Sequence, residues 1–159
     1  MKAGKSYNTL CAKDIMHPRF SLSAKLHGRE LISKMTSNYP ALPVVNEDLQ
    51  VIGIVSEHDI LDALEEGRTI NEFSAESVMS CGHAGHADVC ATPLFVTPDT
   101  GVDEIVDILY KEHFSILPVV ESKESRKLVG LISRKNIMNA LAEEGFWPEH
   151  EFQKRVKAA

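Results

Sequence analysis

The sequence predicts an α+β protein built as a pseudo-twofold pair of β-α-β-β-α repeats, each a small sheet packed against two helices. Three observations carry that reading. Leu42-Pro43-Val44-Val45 recurs as Leu117-Pro118-Val119-Val120, an offset of 117 − 42 = 75, and Gly53-Ile54-Val55-Ser56 recurs as Gly130-Leu131-Ile132-Ser133, an offset of 130 − 53 = 77. Past the serine, Asp59-Ile60-Leu61-Asp62-Ala63-Leu64 answers Asn136-Ile137-Met138-Asn139-Ala140-Leu141. Each copy is thus one supersecondary unit that buries its apolar face against the other. The change of offset puts two extra residues in a loop of the second copy.

Met1 to Asn8 is polar and without periodicity, so it is expected to fray. A short element follows from Thr9 to Met16, with Leu10, Ile15 and Met16 as its apolar contacts, and Pro18 stops it. Phe20 to Ser23 alternates and reads as a strand, and Ala24 to Asn38 carries Leu26, Leu31, Ile32 and Met35 at helical spacing. Tyr39-Pro40 ends that helix, because a residue before proline is pushed out of the helical region. Ala41 to Asn46 and Gln50 to Val55 form a hairpin across Glu47-Asp48-Leu49. Ser56 opens a helix that runs to about Glu66 and stops at Gly67.

After a polar connector from Arg68 to Ser74, Ala75 to Met79 repeats the lead-in, with Ser77-Val78-Met79 answering Asp14-Ile15-Met16. From Leu94 the order recurs: a strand to Thr97, a helix from Thr100 to His113, strands Ser115 to Glu121 and Lys127 to Ile132, and a helix from Arg134 to Glu144. The domain reading is repeat 1 at 12–67, repeat 2 at 75–145 with an insert at 80–93, and a tail at 146–159. Phe146, Trp147 and Phe152 give that tail an amphipathic character.

This arrangement resembles a tandem pair of CBS domains, the cystathionine β-synthase-type regulatory repeat whose pairs are called Bateman modules. Leu-Pro-Val-Val after the first helix and Gly-hydrophobic-hydrophobic-Ser-x-x-Asp/Asn at each strand-to-helix junction carry the likeness, which spans about residue 12 to residue 145. The resemblance implies a cleft between the repeats that binds an adenosine-containing ligand such as AMP, ATP or S-adenosylmethionine. It implies phosphate-facing serines at Ser56 and Ser133 and ribose-facing groups at Asp59 and Asn136. Pro43 and Pro118 would border the adenine, with Ser115 beside it in the second copy, where the first copy has Pro40. It also implies a homodimer and a stand-alone sensor that passes a signal to a partner protein.

Elementary chemistry agrees with part of this. A helix N-terminus offers unpaired N–H groups and a partial positive charge to an anion, and a carboxylate can accept two hydrogen bonds from a vicinal diol. Ser-x-x-Asp is equally the pattern of a capping box, in which the side chains serve the helix itself. The two junctions differ: Glu57-His58-Asp59 in the first, Arg134-Lys135-Asn136 in the second. The second has two more cations and one fewer carboxylate, so a phosphorylated nucleotide is expected to prefer it, and the first, with His58, to suit a less anionic or cation-bearing ligand.

The repeat offsets expose an insert. Met16 to Met79 spans 79 − 16 = 63 residues, whereas Leu22 to Val96 spans 96 − 22 = 74. The additional stretch carries Cys81, His83, His86 and Cys90, two thiols and two imidazoles suited to tetrahedral zinc or another thiophilic metal. A flexible loop and a Cys81/Cys90 redox pair are the other readings of the same residues. The alternative function is therefore a metal- or redox-responsive adaptor with empty nucleotide clefts, any ligand of the loop acting on the second site.

A net charge of −6 and a single short basic run, Lys154-Arg155-Val156-Lys157, argue against nucleic acid as a partner. No stretch approaches the roughly 18 apolar residues of a membrane span, and no apolar run follows the N-terminal lysines, so a cytoplasmic protein with reduced cysteines is expected. There is no nucleophile elbow, Gly-rich phosphate loop or paired-carboxylate spacing, so neither an enzyme nor a required cofactor is expected.

Overall fold

A computed structural model of the chain describes residues 10–37, 39–80, 94–112 and 115–143. The tail at 146–159 lies outside them. A one-turn helix, α1 (Ala12–Ile15), starts at Cys11, whose backbone N–H and thiol both donate to Asp14 Oδ2, at 2.9 and 3.2 Å. Two short strands follow, β1 (His17–Pro18) and β2 (Leu22–Ser23), then α2 (Gly28–Met35), β3 (Ala41–Val45), β4 (Val51–Ser56) and α3 (Glu57–Glu65). A 3-10 turn at Ile70–Glu72 leads to α4 (Ala75–Val78), and the second copy comprises α5 (Val102–Lys111), β5 (Ile116–Val120), β6 (Leu128–Ser133) and α6 (Arg134–Glu143).

The elements match the expected order, with three differences. Helix α2 begins at Gly28 and not at Ala24, because the backbone of the intervening residues is engaged elsewhere: Leu26 and Ala24 carbonyls accept from Ala75 and Glu76 N–H at 2.8 and 3.0 Å. The expected strand from Leu94 to Thr97 shrinks to one parallel bridge, Val96 with Val119. Pro18, read as a stop, is instead half of β1.

Two three-stranded sheets result, in the orders β2-β3-β4 and β1-β6-β5. Both hairpins are antiparallel and carry an irregularity at the same place, between Val44 and Val45 and between Val119 and Val120. Pro118 fits inside β5 because its carbonyl accepts from Val96 N–H at 3.0 Å. The missing proline N–H lies on that same side, so the β5–β6 ladder loses nothing. The extra residues of the second copy fall in the β5–β6 turn, as the offsets require.

Each lead-in packs on the other copy. Ala12 N–H donates to the Thr100 carbonyl at 2.8 Å, and Ala12 is buried in the cluster of Val102, Ile105, Leu117 and Ile132. In return, α4 buries Ala75 and Val78 with Leu31, Leu42 and Val55 of the first copy. The strand after α1 completes the second sheet, His17 opposite Leu131 and Pro18 opposite Gly130, and Ser80 after α4 exchanges two 2.7 Å hydrogen bonds with Ile54 of β4. Gly130 and Gly53 are the places where these crossing segments come closest: an added Cβ would stand 2.6 Å from Met16 Sδ and 2.7 Å from Met79 Sδ respectively.

The hairpin tips also exchange bonds. Leu49 and Arg126 occupy the left-handed region at φ 63° and 56°, an arrangement that costs a non-glycine residue about 1 kcal/mol or more. Each turns its carbonyl to the opposite hairpin, Leu49 to Leu128 N–H and Arg126 to Val51 N–H, both at 3.0 Å. The pairing offsets the strain and ties the copies together at that end.

Candidate functional site

Strand β6 runs into α6 with no loop between them, so Ser133 is both the last strand residue and the helix cap. Its hydroxyl accepts from Asn136 N–H at 3.2 Å, while its own N–H and hydroxyl donate to Asn136 Oδ1 at 2.6 and 2.8 Å. The first copy repeats this: Ser56 accepts from Asp59 N–H at 3.1 Å and donates twice to Asp59 Oδ2, at 2.7 and 2.8 Å. The next N–H of each helix, Arg134 and Glu57, donates at 3.3 Å to the carbonyl of Ser115 and Pro40. These are capping boxes, so most first-turn N–H groups already have partners and any anion here must be held largely by side chains and the helix dipole.

The two capping residues are not in the same electrical state. Burial pushes the Asp59 carboxyl above its ordinary pKa, against the hydrogen bonds from Ser56 that lower it. Asn136 fills the equivalent place without charge and is only 5% exposed. With Oδ1 accepting twice from Ser133, the remaining polar group of the Asn136 side chain is its NH2, a donor.

A cavity of about 740 Å³ opens at this end of α6, lined by His17, Tyr39, Pro40, Ser115, Ser133, Arg134, Lys135, Asn136 and Asn139. That is within the roughly 300–1,000 Å³ of small-molecule sites. Five of the six residues expected at the second site, Ser115, Ser133, Arg134, Lys135 and Asn136, line it. Pro118 does not: it is buried in the middle of β5, its carbonyl turned to Val96. Pro40, which stands in the first copy where the second has Ser115, lines this cavity together with it.

His17, Tyr39 and Asn139 were not foreseen. Asn139 could have been, since it lies three residues past Asn136, one helical turn along the same face. His17 could not, because nothing local says that the first lead-in crosses to the second sheet.

At the first copy, Pro43 is buried in β3 opposite Ile54, and Ser56 and Asp59 form their capping box. His58 points away along the exposed helix surface to Asp62, Nε2 to Oδ2 3.4 Å, and not to Ser56. The stretch read as an insert, 80–93, starts at Ser80 and ends before Leu94. Ser80 pairs with β4 of the first copy, so the segment leaves from the first sheet and rejoins at Leu94, half-buried against the core of the second. Cys81, His83, His86 and Cys90 lie outside the described residues, among which no group of His, Cys, Asp and Glu could hold a metal.

The profile of the CBS domain matches residues 12–66 and 87–143. The chain belongs to the CBS domain family. CBSX1, a chloroplastic CBS domain-containing protein of Arabidopsis thaliana, is 32% identical over 115 residues, covering 62% of this chain and 48% of that protein. Inosine-5'-monophosphate dehydrogenase of Thermoplasma acidophilum is 30% identical over 103 residues, 65% of this chain and 17% of the enzyme. The chain therefore spans about half or less of these curated relatives. Among solved structures, CBSX2 in complex with AMP superposes with a TM-score of 0.65 at 21% identity, covering 82% of this chain and 95% of that one. The CBS domain pair of MJ0100, in complex with 5'-methylthioadenosine and S-adenosyl-L-methionine, gives 0.62 at 22% identity, covering 82% and 94%.

Proposed function

We propose that this CBS pair is a regulatory sensor that binds an adenosine-type nucleotide in the cavity at the start of α6 and passes the signal to a partner protein. The observation that carries the reading is the convergence on one 740 Å³ cavity of Ser115, Ser133, Arg134, Lys135 and Asn136, five of the six residues assigned to the second site from sequence. Two CBS pairs of the same fold hold adenosine compounds, AMP in one and S-adenosylmethionine with methylthioadenosine in the other, which supports an adenosine-type ligand here.

The geometry also says how such a ligand could shift the fold. The cavity wall combines His17 of β1 from the first lead-in, Tyr39 and Pro40 ahead of β3 in the first copy, and the start of α6 in the second, so a bound molecule touches both copies. It changes their relative positions only by binding one arrangement better than another. A homodimer belongs to the same proposal. Tyr110 on α5 and Met138 on α6 are 78 and 59% exposed and line one apolar hollow, a face for a second copy to cover.

Calorimetric titration with AMP, ATP and S-adenosylmethionine tests the ligand. Saturable binding that is lost in Ser133→Ala and weakened in Lys135→Ala is expected. Binding unaffected by either substitution would move the site elsewhere, and no binding to any of the three would remove the nucleotide reading.

A further inference from the structure

Strand β1 puts His17 on the cavity side of the second sheet. His17 lies opposite Leu131 in the antiparallel β1–β6 pair, and residues directly opposite share a sheet face. That face looks toward the first copy, since Leu131 is buried in one cluster with Leu22 and Leu42. Ser133, two residues further along β6, lies on it as well. His17 is therefore the diagonal cross-strand neighbour of Ser133, about 7–8 Å away, a separation that long and aromatic side chains can span. Its backbone is held closely, because an added Cβ on Gly130 would stand 2.8 Å from the His17 carbonyl oxygen. His17 itself is exposed and lines the α6 cavity.

Ser133 marks the end of the cavity where an anion belongs. The start of α6 brings the positive end of a helix dipole there, and Arg134 and Lys135 stand on its first turn. Strand β6 sets no titratable group against His17, its partners in the pairing being Leu131 and Gly130. Tyr39, Arg134 and Lys135 are the other titratable residues described around the cavity, and none of the nine is acidic. Along the chain on either side, Asp14 is engaged by Cys11, Lys13 pairs with Asp99, and Arg19 is exposed. An imidazole changes charge between about pH 5 and pH 8. In the free protein, Arg134 and Lys135 oppose a third positive charge on this wall, and a phosphate offsets that repulsion, so proton and phosphate each favour the other.

Resting on the reading of this cavity as a nucleotide site, we propose that His17, supplied by the first lead-in, contacts the phosphate of the ligand and makes the cavity hold an anionic nucleotide more tightly as pH falls below neutrality. The sensor thereby responds to acidity as well as to nucleotide.

Calorimetric titration of the full chain, of His17→Gln and of His17→Arg with AMP and with adenosine, at about pH 6 and about pH 8, tests this. His17 is exposed, so both variants should fold, and their melting temperatures check it. The phosphate of AMP takes up a proton over the same range, so the readout is the ratio of dissociation constants between two proteins at one pH, in which the ligand's own titration cancels. For AMP, the ratio of His17→Gln to the unsubstituted chain should be about fivefold larger at the lower pH, the scale of one contact between unit charges in water. His17→Arg, charged at both values, should keep a constant advantage over His17→Gln, and adenosine should show no change of ratio. An AMP ratio equal at both pH values, whatever its size, overturns the proposal and leaves the nucleotide site standing. An adenosine ratio that changes as the AMP ratio does overturns it too, because the phosphate then plays no part. No AMP binding to the unsubstituted chain at either pH overturns both readings.

Discussion

Gly130→Ala puts a methyl group where the first lead-in crosses β6. The new Cβ would stand 2.6 Å from Met16 Sδ and 2.8 Å from the His17 carbonyl oxygen. The thioether can swing aside. The carbonyl cannot, because His17 and Pro18 are held in register against Leu131 and Gly130. Restoring an ordinary contact of 3.4 Å requires an opening of 3.4 − 2.8 = 0.6 Å between β1 and β6, enough to carry hydrogen bonds of normal length towards their limit. Overpacking of this kind costs about 1–3 kcal/mol, and for a chain of this size that lowers Tm by about 3–10 °C. His17 also lines the α6 cavity, so nucleotide affinity should fall with stability. Gly53→Ala is the matched control: its Cβ meets Met79 and the Ser80 carbonyl, at 2.7 and 3.0 Å, on the opposite sheet. It should lower Tm similarly and leave binding at the α6 cavity in place. Thermal melts and calorimetry on both variants decide the matter. A Gly130→Ala protein with wild-type Tm and affinity would refute the crossing of the lead-ins.

Three further outcomes follow from the packing and the charges. Asp59 has a pKa raised above 3.8 mainly by burial, so the native chain binds more protons than the unfolded one above that pH, and stability falls as pH rises through the native pKa. Asp59→Asn should therefore raise Tm at about pH 7 and much less at about pH 3; melts at the two values showing a loss at the higher one would contradict it. Leu31→Ala empties a fully buried position facing β3 and β4 and should cost about 2–5 kcal/mol by urea unfolding, against under about 1 kcal/mol for the exposed Leu61→Ala. Tyr110→Glu with Met138→Glu should turn a dimer into a monomer in sedimentation, and an unchanged sedimentation coefficient would place the contact elsewhere.

The repeat made the fold legible, because each copy preserves the strand periodicity, the glycine at the strand centre and the serine cap. The copies align even at the paired irregularities before Val45 and Val120. What escaped was the exchange of lead-ins. Its signals are Gly53 and Gly130, which local reading takes as ordinary strand residues and which are glycines because Met79 and Met16 lie across them. The same exchange hid His17, since long-range pairing leaves no periodicity of its own. At the site, Ser133 and Asn136 were singled out by the junction motif that carries the resemblance, and their capping box is compatible with the cavity: one Asn136 oxygen serves Ser133 while the residue lines the wall. Pro118, assigned to the adenine border by the resemblance, sits inside β5 with its N side towards Val96.

Nucleotide binding in the α6 cavity is the property most directly open to measurement. Amide chemical shifts of the 15N-labelled chain, followed during titration with AMP, answer this residue by residue. Movement of Ser115, Ser133, Lys135, Asn136 and Asn139 together with His17, with little change at Ser56 and Asp59, is the predicted result. Shifts confined to the Ser56 and Asp59 end, or none at saturating AMP, would contradict it.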